Sequence, residues 1–202
     1  MQSLCRRAIL RTGVRLIRYH ITGGLSLDDT LDTIRYSAAA GVEWIQVREK
    51  HLPARELARW TAAVIEAAAG RSQVLVNTRV DVALACGAAG VHLPGGAPPP
   101  SVWRDLVPSG FLFGVSCHTV DEVCESEQNG ASFAVFAPVF EPLSKDSALQ
   151  PQGLDRLAEA ARAVRIPVLA LGGITWENAP LCLAAGAAGI AGITLFRSTP
   201  PR

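Results

Sequence analysis

Residues 86–93 read CGAAGVHL, and residues 185–192 read AGAAGIAG. Each copy follows a run of Ala, Leu and Val and leads into apolar residues. Physically, each is a helix end, a glycine free to take a left-handed turn, small residues that let the chain double back closely, and a short strand. The same αβ turn is therefore written twice, with Gly87 and Gly186 as the helix stops. The separation between the copies fits four βα units of about 25 residues each. It needs no gene duplication. One difference remains: His92 stands where the second copy has Ala191.

The pattern extends outward from both copies. Short apolar runs at 18–22 (RYHIT), 43–48 (EWIQVR), 73–77 (QVLVN), 90–93 (GVHL), 111–116 (FLFGVS), 132–137 (SFAVFA), 166–172 (IPVLALG) and 188–194 (AGIAGIT) predict strands. Several are apolar nearly throughout, as strands covered on both faces are. Helical patterns lie between them. One starts at Ser26, an N-cap, and stops at Gly41; another has Pro53 in its first turn and stops at Gly70. Thr119 and Thr175 are further N-caps, with Glu122 and Asn178 three residues on, and of these Glu122 has the capping-box type. The proline-rich stretch 94–110 predicts a loop and then a short helix from about Val102. About eight strands, each followed by a helix and undivided by a linker, predict an α/β protein: a single (β/α)8 TIM barrel over 17–202 after an N-terminal arm at 1–16. A doubly wound open sheet is the alternative.

Composition narrows the partners. The chain has 202 residues, 49% of them hydrophobic and 18% charged, enough for one sizeable core. A net charge of +1 gives no ground for nucleic acid or an anionic membrane as partner. No apolar run approaches the roughly 20 residues that span a bilayer. The opening MQSLCRRAILRTGVRLIRY is basic, but Arg and Gly interrupt it too often for a signal-peptide core. Five cysteines, odd in number and without a CxxC pair, argue against disulfides and zinc and for a reducing, cytoplasmic setting. Trp44, Trp60, Trp103 and Trp176 suit either a core or a homo-oligomer interface.

In a parallel barrel, ligands bind where the strands end. The polar residues there are Gln46, Arg48 and Lys50; Asn77; His92; Ser116 and His118; Lys145 after the sixth strand; Gly172 and Gly173; and Thr194. Gln46, Arg48 and Lys50 alternate, so on a strand they face the same way, while Glu49 and His51 read as a solvated loop. Arg48, Lys50 and Lys145 make the mouth cationic. The Gly172–Gly173 pair after the seventh strand, with Thr194 after the eighth, is a candidate phosphate cradle; a plain glycine turn is its bland counterpart. His118 can serve as general acid or base, or as a structural histidine bonded to a loop carbonyl. His92, followed at once by Leu93 and Pro94, reads as structural.

These motifs, RYHIT, QVREK, LVNTRVDVALACGAAGVHL, GVSCHT, APVFEPLSK and LALGGITWEN, resemble in order the thiamine phosphate synthase/TenI family over about residues 17–196. The resemblance implies a barrel of thiamine biosynthesis acting on a phosphorylated thiazole. Synthases of the family join a pyrimidine pyrophosphate to a thiazole phosphate with magnesium. TenI-type tautomerases shift a proton on a carboxythiazole phosphate without a metal. The synthase pattern has Asp after the third-strand Asn and again in the fourth loop; here those positions are Thr78 and Ala97. In the family's Thr-x-Thr-Lys pattern after the sixth strand, Ser144 keeps a hydroxyl and Pro142 supplies none; Gly172, Gly173, Thr194 and Lys145 are retained, as is His118 at the tautomerase histidine. The resemblance thus implies a thiazole tautomerase needing no cofactor, with His118 as acid/base. A magnesium-dependent synthase and a non-catalytic thiazole- or thiamine-phosphate-binding barrel are its alternatives.

Overall fold

The fifth residue of each copy of the opening motif, Gly90 and Gly189, is glycine for a steric reason. A Cβ at Gly90 would overlap the carbonyl oxygen of Leu112, and one at Gly189 would overlap that of Ile17. Each glycine lets its strand pass close against the next. The computed structural model describes residues 16–141 and 150–197. Their eight parallel strands are β1 (Ile17–Ile21), β2 (Trp44–Val47), β3 (Gln73–Asn77), β4 (Gly90–Leu93), β5 (Leu112–Cys117), β6 (Phe133–Phe136), β7 (Val168–Ala170) and β8 (Gly189–Gly192). They pair in chain order, and β8 returns to β1 through Ile17↔Gly189 to His20↔Gly192, which closes the barrel. That seam rules out the open sheet. The architecture is the predicted (β/α)8 TIM barrel.

Between the strands run α1 (Leu27–Ala39), α2 (Ala54–Ala68), α3 (Val80–Ala85), α4 (Pro100–Trp103), α5 (Val120–Gln128), α6 (Gly153–Ala163) and α7 (Ala179–Ala184). None is long and apolar enough to cross a membrane. No helix follows β8 among the described residues, so the eighth predicted unit ends without one there. Residues 1–15, which make up all but the last position of the expected arm at 1–16, and residues 142–149 and 198–202 lie outside the described residues. Ser26 caps α1, its Oγ accepting from the N–H of Asp29 at 3.2 Å. Helix α2 buries Leu57, Trp60, Thr61, Val64 and Ala68, the stripe that a period of 3.6 places on one face.

Strand alternation sorts the core into two shells. Inside the barrel lie Tyr19, Ile21, Leu75, Phe133, Val135, Leu169 and Ala191. Outside, against the helices, lie Val47, Val74, Val76, Val91, Leu93, Phe113, Cys117, Phe136 and Ile190 among others. The N-terminal end of the bore is plugged by aromatics. Trp44 packs on Phe133 at 4.4 Å between centroids, and Tyr19 meets both edge-on. Full burial of such a ring contributes about 1.5–3 kcal/mol. Trp44 is thus a floor residue of the barrel, and polar chemistry is left to the other end.

Candidate active site

Val47 and Val76 face the helices, so Gln46, Arg48 and Asn77 face the bore. By the same alternation β4 turns His92 inward and β5 turns Ser116 inward. A cleft of about 1460 Å3 opens above them, lined by Arg48, Glu49, Lys50, Asn77, Ser116, His118 and the 94–100 loop. The structure thus brings five of the predicted residues into one mouth: Arg48, Lys50, Asn77, Ser116 and His118. Gln46 lies deeper, 1% exposed; its side chain approaches the buried Tyr19 hydroxyl, but its Nε2 makes no well-formed hydrogen bond. A buried unpaired donor is costly, commonly 1–3 kcal/mol.

His118 both bonds to a loop carbonyl and lines the cleft. Its Nδ1 sits 2.6 Å from the carbonyl oxygen of Ala137, so this nitrogen carries the proton and donates. Nε2 then remains as the ring nitrogen without a partner among the described residues. The loop carbonyl fixes the ring, and the ring lines the cleft. Its backbone is held too: the N–H of His118 donates to Glu122 Oε2 at 2.5 Å. This alters the expected capping box. Thr119 Oγ1 does accept from the N–H of Glu122, at 3.1 Å, but the Glu122 carboxylate serves His118 instead of Thr119.

Glu49 corrects the sequence reading. It is 4% exposed rather than solvated, and it accepts from Thr22 Oγ1 at 2.6 Å. The same Thr22 oxygen accepts from the N–H of Arg48 at 3.0 Å. Thr22 and Glu49 therefore tie β1 to the turn that carries Arg48 and Lys50. No local pattern could expose this pair, whose members come from different strands. Asn77 donates from Nδ2 to Thr78 Oγ1 at 2.9 Å. Thr78 itself holds φ +65°, a left-handed conformation uncommon for a β-branched residue.

Across the mouth, Leu171 lines the cleft and leads into Gly172 and Gly173. Their φ values are +95° and +63°. A Cβ on Gly172 would come within 2.5 Å of Pro138 Cβ, and one on Gly173 within 2.8 Å of Phe140 Cβ. So close packing of the loop after β6 already demands glycine at both positions. Neither glycine N–H meets an acceptor among the described residues, which leaves both amides available to an anion. Thr194 is exposed at the same rim. Ser144 and Lys145 lie outside the described residues. Helix α7 begins at Ala179, later than Thr175 suggests, because Thr175 and Asn178 bond reciprocally: Thr175 N–H to Asn178 Oδ1 at 2.8 Å, and Asn178 N–H to Thr175 Oγ1 at 3.3 Å. Asn178 thus completes the pair that its residue type left in doubt, and its Nδ2 also holds the Gly173 carbonyl at 2.8 Å.

His92 is 4% exposed, with Nε2 2.8 Å from Ser116 Oγ and Nδ1 3.3 Å from the Tyr19 hydroxyl. Burial, with the Arg48 charge nearby, lowers its pKa to about 3, so the ring is neutral at physiological pH. The structural reading of His92 is supported, with a direct bond to a mouth residue added.

Comparison with known proteins places this geometry. A family model described as thiamine monophosphate synthase (TMP-TENI) matches residues 18–196. A putative thiamine-phosphate synthase of Geobacter sulfurreducens is 44% identical over 90% of this chain and 84% of its own. A putative thiamine-phosphate synthase 2 of Aquifex aeolicus is 41% identical over 84% of this chain and 90% of its own. Among solved structures, thiamine phosphate pyrophosphorylase from Pyrococcus furiosus superposes with a TM-score of 0.79 at 31% identity, over 91% of this chain and 88% of that one. A closed barrel, a cationic mouth and a family match over almost all the strands agree, and the chain belongs to the thiamine monophosphate synthase/TenI family.

Proposed function

We propose that this protein acts on a phosphorylated thiazole in thiamine biosynthesis and moves a proton on it, as a tautomerase, without a metal ion. The donor set at the mouth supports the reading most directly. Magnesium is held by carboxylates together with phosphate oxygens. Thr78 and Ala97 stand at the two positions where the family's synthases carry Asp, and neither offers a carboxylate. Three carboxylates do line the cleft: Glu49 is engaged by Thr22, Glu122 by the backbone of His118, and Glu125 stands alone as an exposed side chain. Among the described residues no three His, Cys, Asp or Glu side chains gather as a metal site. These residues do not fit the ion, and no step is routed through it.

In this reading the Gly172 and Gly173 amides and Thr194 take the phosphate, with Lys145 after β6 contributing charge. Arg48 and Lys50 face the carboxylate, and Gln46, Asn77, Ser116 and Ser144 line the ring. His118 holds Nδ1–H against Ala137 and presents Nε2 as base. Nε2 accepts a proton from one carbon of the dihydrothiazole and returns it to another, leaving the aromatic ring. Acid–base assistance of this kind contributes roughly 100- to 10,000-fold. His118→Ala is expected to lose turnover by that factor while still binding the carboxythiazole phosphate by calorimetry. Full turnover in the variant would remove His118 from the reaction.

A second reading is a thiamine-phosphate synthase, and the names of the relatives favour it: all three proteins compared above are named for making thiamine phosphate. Pyrophosphate release from the pyrimidine pyrophosphate and thiazole phosphate, assayed with and without magnesium, separates the two. Magnesium-dependent release by the parent protein would establish the synthase. Release only after Thr78→Asp with Ala97→Asp would support the tautomerase.

A further inference from the structure

We propose that His92 is a positioning residue that leaves the Ser116 hydroxyl proton free to be donated toward the cleft, so that the cup selects a ligand presenting an acceptor, a carboxylate, over β5. The carboxylate half rests on the thiazole-phosphate reading above. The direction of the relay does not.

The relay follows from counting protons. The Tyr19 phenol is fully buried, and burial raises its pKa well above the ordinary value, so it keeps its proton. The Gln46 amide also approaches this phenol, and because its contact lowers the phenol pKa it stands there as a donor; among the described residues His92 Nδ1, at 3.3 Å, is then the acceptor for the Tyr19 proton. With Nδ1 accepting, a neutral imidazole has its proton on Nε2. Nε2–H then donates to Ser116 Oγ, 2.8 Å away. Ser116 spends one lone pair on that N–H and none of its own proton on His92, so its O–H is free to turn to the cleft that it lines. In the reverse order the Tyr19 proton would be left buried and unpaired, at a cost of about 1–3 kcal/mol.

The surroundings hold the ring in place. A Cβ at Gly114 would stand 2.8 Å from His92 Nδ1, so the bare glycine of β5 makes room for the imidazole. Tyr19 and Phe133 flank it at 5.8 and 6.0 Å between centroids. The nearby Arg48 charge opposes protonation and keeps the relay neutral. His92 thus joins the apolar floor to the polar mouth, which Ala191 on the facing strand cannot do.

The first test is nitrogen-15 NMR of the histidine side chains in the full parent chain, with His92 assigned by its absence from His92→Gln. The expected result is Nε2 protonated and Nδ1 bare at neutral pH. A protonated Nδ1 would overturn the relay whatever the ligand. The second test is calorimetric binding of carboxythiazole phosphate and of the thiazole phosphate lacking the carboxylate. The parent is expected to prefer the carboxylate. His92→Leu should lose about 10- to 100-fold of that preference, as for a hydrogen bond to a charged group. His92→Gln, which keeps an N–H toward Ser116, should recover most of it. Ser116→Ala should remove the same preference, and adding His92→Leu to it should cost no more. An unchanged preference in His92→Leu would refute the proposal. A parent that binds neither compound would instead refute the thiazole-phosphate reading and the carboxylate half with it, leaving the relay to the NMR result.

Discussion

Thr78 carries the plainest residue-scale tension in the mouth. Its φ of +65° costs a β-branched side chain roughly 1–2 kcal/mol. The conformation is imposed from outside: the N–H of Thr78 donates to the His92 carbonyl at 2.8 Å, which extends the β3–β4 pairing. Asn and Asp adopt this region more readily. Thr78→Asn is expected to raise the urea midpoint, by about 1 kcal/mol of stability, because it relieves the strain without glycine's entropy. A lower midpoint would show that the Thr78 hydroxyl, with its bond from Asn77, outweighs the strain. The strain itself was invisible in the sequence, where Asn77-Thr78 reads as an ordinary strand end. Arg48 and His118 were legible because strand termini of a parallel barrel converge. Glu49 was not, because its burial depends on Thr22, and a charged run gives no sign of which member turns inward.

At the scale of elements, the repeated turn explains why glycine recurs at Gly90 and Gly189. The helix stops Gly87 and Gly186 need φ of +66° and +99°. The strand glycines need something else, clearance for the adjacent strand. The two requirements predict different penalties. Gly87→Ala has nothing within 4 Å of the new Cβ and carries only the left-handed cost, about 1–2 kcal/mol. Gly189→Ala drives a Cβ into the Ile17 carbonyl at the β8–β1 seam and should cost about 3 kcal/mol, with a matching fall in the urea midpoint. If Gly189→Ala is the milder change, the seam has slack and the clearance argument fails. Strand positions were readable to within about two residues because continuous apolar runs bounded by Gly or Pro leave little choice. Helix starts were less so. Asn178 bonds to Thr175 and to the Gly173 carbonyl, which delays α7 and ties its entry to the glycine pair. Such double use of one side chain appears only when the loop is folded.

The whole molecule is a tube between two shells of apolar side chains, and closure decides how its histidines behave. His20 points outward from β1, 1% exposed, with Nδ1 3.0 Å from Ser37 Oγ on α1 and with the Phe196 ring beside it. Burial, helped by the positive charge of Arg197, lowers its pKa from 6.5 to about 4. His92 in the bore is lowered further, to about 3. Closure was read from the count of eight units, whereas these environments depend on which strand meets which helix. Both rings are neutral in the fold but gain a proton in the unfolded chain below about pH 6.5. Their contribution is therefore whole above that pH and is lost progressively as pH falls toward 4 and then 3. Each neutral ring weakens the fold by roughly 1.4 kcal/mol per pH unit across its window. Urea midpoints should thus decline steeply between about pH 6 and pH 5, above the range in which Asp and Glu titrate. His20→Asn, whose amide can still meet Ser37 and does not titrate, should remove about half of that slope. The same slope in parent and variant would mean that acid unfolds the barrel through other groups, and that His20 is reached by water before the seam opens.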